Sequence, residues 1–247
     1  MNKKRLDLLL TEKGLSGSRQ RAQGIIMAGL VRVNGETVDK PGRLVNPLAS
    51  INIIGNDNPY PSRGGVKLNA ALRDFGISVN GLTMLDVGAS TGGFTSCLLE
   101  HGAKKVIAVD VGYGQIAWSL RKDPRVLLIE RTNIRYLTKE SVNEVIDGAV
   151  IDVSFISLRI VVPATLRLLK HDSFVLALIK PQFEAGKGMV GKGGVIRDES
   201  IQTQVVDDLI KYFNETGLIV SGTMESPIKG AKGNKAVSYT HLRAHET

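Results

Sequence analysis

The sequence holds one cysteine, Cys97, so no internal disulfide can form. That excludes a secreted scaffold stapled by disulfides, and a cytoplasmic setting is expected. There is no apolar run of about 18 residues, the least that a membrane-spanning helix needs. The N-terminus, MNKKRLDLLL, passes straight into charged residues and an amphipathic pattern. It lacks the apolar stretch and small-residue cleavage site of a secretory signal. No internal repeat and no low-complexity block occurs, and no cluster of metal-ligand residues stands at a recognisable spacing. Neither a membrane nor a metal is therefore expected, and no obligate protein partner is implied.

What is present is the composition of a soluble globular protein, 43% hydrophobic and 23% charged. A length of 247 residues suits two unequal domains better than one. The net charge of +8 is unevenly spread: residues 1–67 hold 11 Lys and Arg against 5 Asp and Glu, which is +6 of the total. A basic excess packed into the first quarter points to a polyanion, with a merely solvated basic face as the plainer alternative. Lys4, Arg5, Arg19, Arg21, Arg32 and Lys40 are the cations expected to meet RNA.

The first segment reads as two short helices followed by strands. Arg5 to Glu12 puts Leu6, Leu9 and Leu10 on one helical face. Ser18 is a good N-cap for a second helix over Arg19 to Ala28, closed by Gly29. Val31 to Val33 and Glu36 to Val38 flank the hairpin turn Asn34-Gly35, and Ile51 to Ile54 reads as another strand. A linker is placed in the polar, proline-containing stretch that follows. The expected boundaries are 1–58 for the small α+β domain, 59–65 for the linker and 66–247 for the larger domain. In the larger domain, apolar strands are expected at Met84–Val87, Val106–Val109, Val126–Glu130, Ala149–Val153 and Phe174–Ile179. Helices are expected between them, including Val161–Lys170, then a long helix at Ile201–Asn214 and a strand at Leu218–Gly222. Repeated βα units with near-continuous apolar strands predict a Rossmann-like α/β fold, a mostly parallel sheet covered on both faces.

The first chemical motif is Leu85-Asp86-Val87-Gly88-Ala89-Ser90-Thr91-Gly92-Gly93-Phe94, where a strand gives way to a small-residue turn and then a helix. Open α/β sheets bind ligands at this edge. Small residues let a ligand approach the backbone, and the N–H groups of the turn can hold its polar end. The next strand ends in Asp110-Val111, with Asp110 22 residues after Gly88. That is close to the roughly 20-residue spacing at which a carboxylate accepts two ribose hydroxyls. Asn133, after the third strand, is placed to meet an adenine edge. Three look-alikes compete. Gly88 to Gly92 fits the G-x-S-x-G elbow of α/β-hydrolases, with Ser90 as nucleophile and His171 or His241 as base. That reading leaves Asp110 unexplained. A dinucleotide site would want a glycine where Ser90 stands. Gly186 to Lys192 imitates a P-loop, but Gly193 replaces the hydroxyl residue that would hold magnesium.

The second motif pairs two strand ends, Ile151-Asp152-Val153-Ser154-Phe155 and Ile179-Lys180-Pro181-Gln182-Phe183-Glu184. Both polar residues emerge at the same sheet edge as the glycine turn. A lysine ending an apolar strand is partly desolvated, which lowers its pKa and suits it to general base work. A plain ion pair between Asp152 and Lys180, capping two strands, is the structural alternative.

Together the glycine turn, Asp110, Ile151 to Ile156 and Lys180 to Glu184 resemble the TlyA-type, hemolysin-like rRNA methyltransferases within the FtsJ class. Arg5 to Ile54 resembles the S4 RNA-binding domain, and Ser62-Arg63-Gly64-Gly65-Val66-Lys67-Leu68 resembles the family's entry to the catalytic domain. The likeness runs from about residue 3 to Lys235. It implies S-adenosylmethionine as cofactor, held by Gly88 to Phe94, Asp110, Val111, Asn133 and Asp152. It also implies ribosomal RNA or a ribosomal subunit as partner, and methylation of a cytidine ribose 2′-hydroxyl. A non-catalytic rRNA-binding assembly factor is the alternative. The family's catalytic set is Lys-Asp-Lys-Glu. Its first three members fall on Lys67, Asp152 and Lys180, with Lys180 expected to be the base. The fourth should follow Gly233-Asn234-Lys235, where Ala236 stands. The ending AVSYTHLRAHET, 236–247, does not resemble the family's closing strand and reads as a foreign tail. Its apolar alternation would still allow an edge strand.

Overall fold

The structure, a computed structural model, describes residues 3–27, 29–53, 58–186, 189–191, 195, 196 and 198–228, together with the backbone of 238–244. The chain divides into two compact units, Met1–Pro59 and Tyr60–Thr247.

The first unit is small and mixed. Strand β1 (Lys4–Arg5) leads into α1 (Leu6–Glu12), and α2 (Arg19–Met27) follows. Then come β2 (Val31–Val33), β3 (Glu36–Val38), β4 (Leu44–Val45) and β5 (Ile51–Ile53). Strand β1 pairs antiparallel with β4, and β3, β2 and β5 form a second antiparallel sheet. Arg5 is thus the last residue of a strand and the N-cap of α1, not the first residue of the helix. Ser18 caps α2 by accepting from the Arg21 N–H at 3.2 Å. Asn34 and Gly35 both take positive φ, 52° and 87°, the geometry of a type I′ hairpin turn. Leu6, Leu9 and Leu10 from α1 meet Ala22, Ile25 and Ile26 from α2 over the sheet, burying the apolar stripe of each helix. Ala28 and Ile54, expected as element ends, lie outside the described residues.

The second unit begins with α3 (Arg63–Asp74). Ser62 caps it, its hydroxyl accepting from the Gly64 N–H. Residues 63–65, expected to be linker, are therefore the first turn of a helix. Next come β6 (Thr83–Val87), α4 (Gly93–Glu100), β7 (Lys105–Val109), α5 (Trp118–Arg121) and β8 (Val126–Ile129). A short 3-10 turn (Ile134–Tyr136), α6 (Lys139–Val142), β9 (Ile146–Ile151), α7 (Leu158–Leu166) and β10 (Leu169–Leu178) follow. Helix α8 (Pro181–Glu184), α9 (Glu199–Glu215), β11 (Leu218–Glu225) and β12 (Ser238–Ala244) complete the unit. The sheet order is β11-β12-β10-β9-β6-β7-β8, parallel from β10 to β8. Strand β12 runs antiparallel to both of its neighbours. It lies inside the sheet, and β11 is the edge, contrary to the edge position expected for the C-terminal segment.

The strands alternate between two cores. Leu85 and Val87 of β6 pack with residues of α7 and α9, while Met84 packs with Leu68 of α3 and Leu98 of α4. Helices thus cover both faces of the sheet, which is why its strands are apolar throughout. Two elements differ from expectation in one place. The helix expected at Val161–Lys170 ends at Leu166, and Leu169 and Lys170 already belong to β10. The first half of β10 is irregular, with a register shift between Leu169 and Phe174 and a positive φ of 57° at Asp172. Strand β9 likewise spans Ile146–Ile151, so Asp152 follows the strand and does not lie within it.

Candidate active site

Parallel register puts the ends of β6, β7, β9 and β10 at one edge of the sheet. Val87 pairs with Val109 and with Ile151, and Ile151 pairs with Ala177. The residues that follow, the glycine turn, Asp110, Asp152 and Lys180, therefore emerge side by side. The turn hugs the backbone of its neighbour. Gly88 has φ 89°, and a Cβ there would lie 2.6 Å from the Asp152 carbonyl oxygen, so only glycine fits. Ser90 adopts φ 49° and Gly92 φ 93°, and Gly92 is the N-cap of α4. Ala89, Gly93 and Phe94 are buried beneath the turn, while Ser90 and Thr91 face solvent.

Asp110 is fixed in this cradle. Its Oδ2 accepts from the Ser90 N–H at 2.8 Å and its Oδ1 from the Gly112 N–H at 2.6 Å. A carboxylate has about four acceptor sites, so two remain for the hydroxyls of a ribose. Val111, next to it, is exposed. Asn133 spends its side-chain oxygen on the Arg135 N–H at 3.1 Å, capping the 3-10 turn, which leaves only its amide donors for a ligand.

Sequence reasoning quoted Asp86 within the motif but gave it no role. In the structure it is fully buried on the α4 side of β6. Thr95 donates to its Oδ2 at 2.6 Å, and its Oδ1 has no hydrogen-bond partner. Burial, and then the charges of Asp152 and Asp110, push its carboxyl up to about 7. An acid inside a strand of otherwise apolar residues was the signal available. Three acids thus converge around the glycine cradle, and Asp86 and Asp152 each have a buried oxygen with no hydrogen-bond partner. This arrangement fits S-adenosylmethionine, whose sulfonium and ammonium charges such acids stabilise and whose ribose Asp110 can hold.

The second motif assembles beside it. Lys180 Nζ lies 2.5 Å from Asp152 Oδ1, at an angle too poor for a directed hydrogen bond, so the contact is an ion pair. Lys180 also donates to Ser154 Oγ at 3.0 Å. Lys67 reaches the same place from the first turns of α3. Burial pulls its amine below the usual lysine value, Lys180 and Arg63 push the same way, and Asp152 opposes them. Glu184 is explained by structure: it accepts from Ser157 Oγ at 2.6 Å and from the Leu158 N–H at 2.8 Å, tying the segment after Lys180 to the start of α7. Burial raises its carboxyl. Phe155 was not singled out. It has φ 63°, is 90% exposed, and its ring centroid lies 4.8 Å from that of Phe183.

The hydrolase alternative fails on placement. His171 sits in the first half of β10, at the opposite edge from Ser90, and pairs with Asp172. The nearest partner of Ser90 Oγ is Gln115, at 3.4 Å. The backbone of His241 pairs with Leu176 in mid-strand. Ala236 and the Gly233-Asn234-Lys235 turn lie outside the described residues, as does part of the 186–192 segment.

In the first unit the expected RNA-binding cations are of two kinds. Lys4 pairs with Glu12 at 2.7 Å, and Arg5 and Arg19 both pair with Asp7 at 3.0 Å. Arg21, Arg32 and Lys40 are exposed and form no ion pair among the described residues.

A largely parallel sheet with a glycine cradle, an acid at the end of the next strand and a lysine–aspartate pair beside them has the architecture of an S-adenosylmethionine-dependent methyltransferase. The chain belongs to the FtsJ-like methyltransferase family, which residues 60–240 match, and residues 4–48 match the S4 domain. It is 45% identical over 231 residues to the 16S/23S rRNA (cytidine-2′-O)-methyltransferase TlyA of Mycobacterium tuberculosis, covering 93% of this chain and 86% of that protein. It is 45% identical to Hemolysin A of Brachyspira hyodysenteriae over 93% of this chain and 96% of that one. A solved structure from Streptococcus thermophilus that carries a hemolysin label is 41% identical, with a TM-score of 0.78, covering 100% of this chain and 90% of that one. The resemblance drawn from the motifs is borne out. Among the described residues no helix is long and apolar enough to cross a membrane.

Proposed function

We propose that this chain transfers a methyl group from S-adenosylmethionine to the 2′-hydroxyl of a cytidine ribose in ribosomal RNA, in the cytoplasm and on a ribosomal subunit. The convergence of Lys67, Asp152 and Lys180 beside the glycine cradle carries the reading. The cofactor supplies an electrophilic sulfonium methyl. A ribose hydroxyl is a weak nucleophile, so the protein must place it in line with that methyl and take its proton. The two lysines share one site and one acid. Burial opposes the charge of Lys67, which lowers the cost of holding a neutral amine there. Lys180, held by Asp152 and Ser154, orients the ribose oxygen. Bound S-adenosylmethionine would supply the methyl and keep the sulfur electron pair, and the lysine pair would take the hydroxyl proton as the ribose oxygen gains the methyl. Phe155 offers a flat apolar face beside the reacting centre, suited to an unstacked base. The S4 unit supplies basic surface for structured RNA.

The test is tritium transfer from labelled cofactor to unmodified ribosomal subunits, followed by mapping of the modified nucleotide. Label on a cytidine 2′-oxygen is the expected result. Tight subunit binding without label in any fraction would instead favour the assembly-factor reading.

A further inference from the structure

The inference concerns Asp7, to which no role has been given, and it rests on the RNA-binding reading of the first unit. Asp7 follows the first residue of α1 and is completely buried. Its carboxylate collects an unusual set of donors. Arg5 binds it with both Nε, to Oδ1, and Nη2, to Oδ2, each at 3.0 Å. Arg19 donates Nε to Oδ2 at 3.0 Å, and Gln23 donates Nε2 to the same oxygen at 3.0 Å. The Leu8 N–H completes the set at Oδ1. The Arg5 guanidinium holds the acid well below the usual carboxylate range, so it stays charged.

Both arginines are only half engaged. The side chains of Arg5 and Arg19 remain 43% and 52% exposed. Among the described residues Arg5 spends Nε and Nη2 on Asp7, which leaves Nη1, and Arg19 spends only Nε, which leaves both Nη groups. The Arg5 plane is also backed by the chain. A Cβ at Gly42 would lie 3.3 Å from Arg5 Nη1 and 3.6 Å from its Cζ. Two guanidiniums from two elements are thus locked side by side, with free N–H edges and a net charge of +1 after Asp7 is counted. A planar fork held in place loses little freedom when it meets a phosphate oxygen.

We infer that Asp7 is a positioning residue: it holds Arg5 and Arg19 as a preformed clamp for the phosphodiester backbone of structured RNA. The alternative is that Asp7 only neutralises excess charge and holds the fold. The two make opposite predictions for Asp7→Asn. That substitution adds one positive charge to the RNA-binding unit. Charge alone would tighten RNA binding, whereas release of the clamp weakens it.

The experiment is anisotropy of a labelled RNA hairpin titrated with the full chain over a range of salt concentrations. Four proteins are compared: wild type, Asp7→Asn, Arg5→Ala with Arg19→Ala, and the triple variant. A thermal melt of each is recorded alongside. Asp7→Asn is expected to weaken binding by about fivefold, the scale of one ordinary hydrogen bond lost. In the double-alanine background the same substitution is expected to change affinity by less than about twofold, because its targets are gone. Unchanged or tighter binding by Asp7→Asn overturns the inference. So does a weakening that persists undiminished in the alanine background, which would mark a purely structural role. If Asp7→Asn melts below the assay temperature, Gly42→Ala decides. It leaves the acid in place but presses on the Arg5 guanidinium, and about twofold weaker binding is expected. Wild-type affinity in Gly42→Ala then overturns the clamp. Should the wild-type chain ignore the hairpin at low salt, the RNA-binding reading of the unit falls, which is a separate result.

Discussion

Lys180 and Asp152 face each other at 2.5 Å across the ends of two adjacent parallel strands, β10 and β9. Neither residue is in its strand: Lys180 is the second residue after Leu178, the last of β10, and Asp152 is the first after Ile151, the last of β9. The sheet therefore sets their separation, and Lys67 comes to the pair from helix α3. A reaction that needs one neutral amine and one fixed cation is provided for by two lysines sharing one acid.

The lysine pair gives the first prediction. Lys67→Arg and Lys180→Arg both keep the charge but cannot give up a proton near neutral pH. Lys67→Arg should abolish methyl transfer, because it removes an amine that burial makes easier to neutralise. Lys180→Arg should also fall steeply, since a longer planar group displaces the Ser154 and Asp152 contacts. Cofactor affinity, read by calorimetry, should stay near wild type in both. A Lys67→Arg enzyme with a near-normal single-turnover rate would assign proton removal to Lys180 alone.

Cofactor binding gives the second. Asp110→Ala removes the acceptor expected for the ribose and also frees the Ser90 and Gly112 N–H groups that it now orders. S-adenosylmethionine affinity should drop by roughly 1.5–3 kcal/mol, the range for hydrogen bonds to a charged group. Asp110→Asn, which keeps an acceptor oxygen, should lose less. Equal affinities in calorimetry for wild type and Asp110→Ala would remove Asp110 from the cofactor site.

The third concerns pH. Asp86 has a folded pKa of about 7, above the roughly 3.9 of an unfolded aspartate. Between those values the folded state holds a proton that the unfolded state has lost, so this group's contribution to stability falls as pH rises through the window. Above about pH 7 the penalty is complete. Asp86→Asn, which is never charged, should gain stability relative to wild type as pH is raised from 4 to 7, read as the difference between two sets of denaturant midpoints. The difference matters because Asp7 and Asp147, whose carboxyls are lowered, tilt the wild-type curve the other way. A pH-independent difference would mean that Asp86 stays ionised in the fold.

What was legible in the sequence follows a physical pattern. The apolar strands β6 to β10 could be read because both their faces are buried, and Asp110 and Asp152 could be read because they end such strands. Lys67 could not be found that way. It lies on a helix, where only the family likeness marked it. The beginning of β10 was misread because Lys170, His171 and Asp172 are polar and exposed, and its register shift breaks the alternation that marks a strand. The pairing of Arg5 and Arg19 could not be read because Asp7 looks like any surface acid until the side chains of Arg5, Arg19 and Gln23 are seen around it. The orphaned oxygen of Asp86 is likewise a property of burial, which no local pattern records.

The last prediction concerns the C-terminal strand. Antiparallel pairing sets Leu178 opposite Tyr239, so β12 begins at the sheet edge where Lys180 emerges. The family likeness expects a glutamate shortly before that start, and this sequence has Ala236. Without it, two lysines share the site with Asp152 as the acid nearest to them. A missing negative charge raises the cost of holding both cations and removes an acceptor for the target ribose. Strand β12 pairs with both β10 and β11, so the fold does not depend on that glutamate. The chain as written is therefore expected to bind cofactor and RNA but to methylate slowly. Ala236→Glu should raise the single-turnover rate by about tenfold or more, roughly the 1.4 kcal/mol that one charge-assisted contact supplies in a site closed to water. The assay is methyl transfer to unmodified ribosomal subunits by the two proteins side by side, with calorimetric cofactor affinity as control. Equal rates would show that the fourth position is dispensable here, or that another acid fills it.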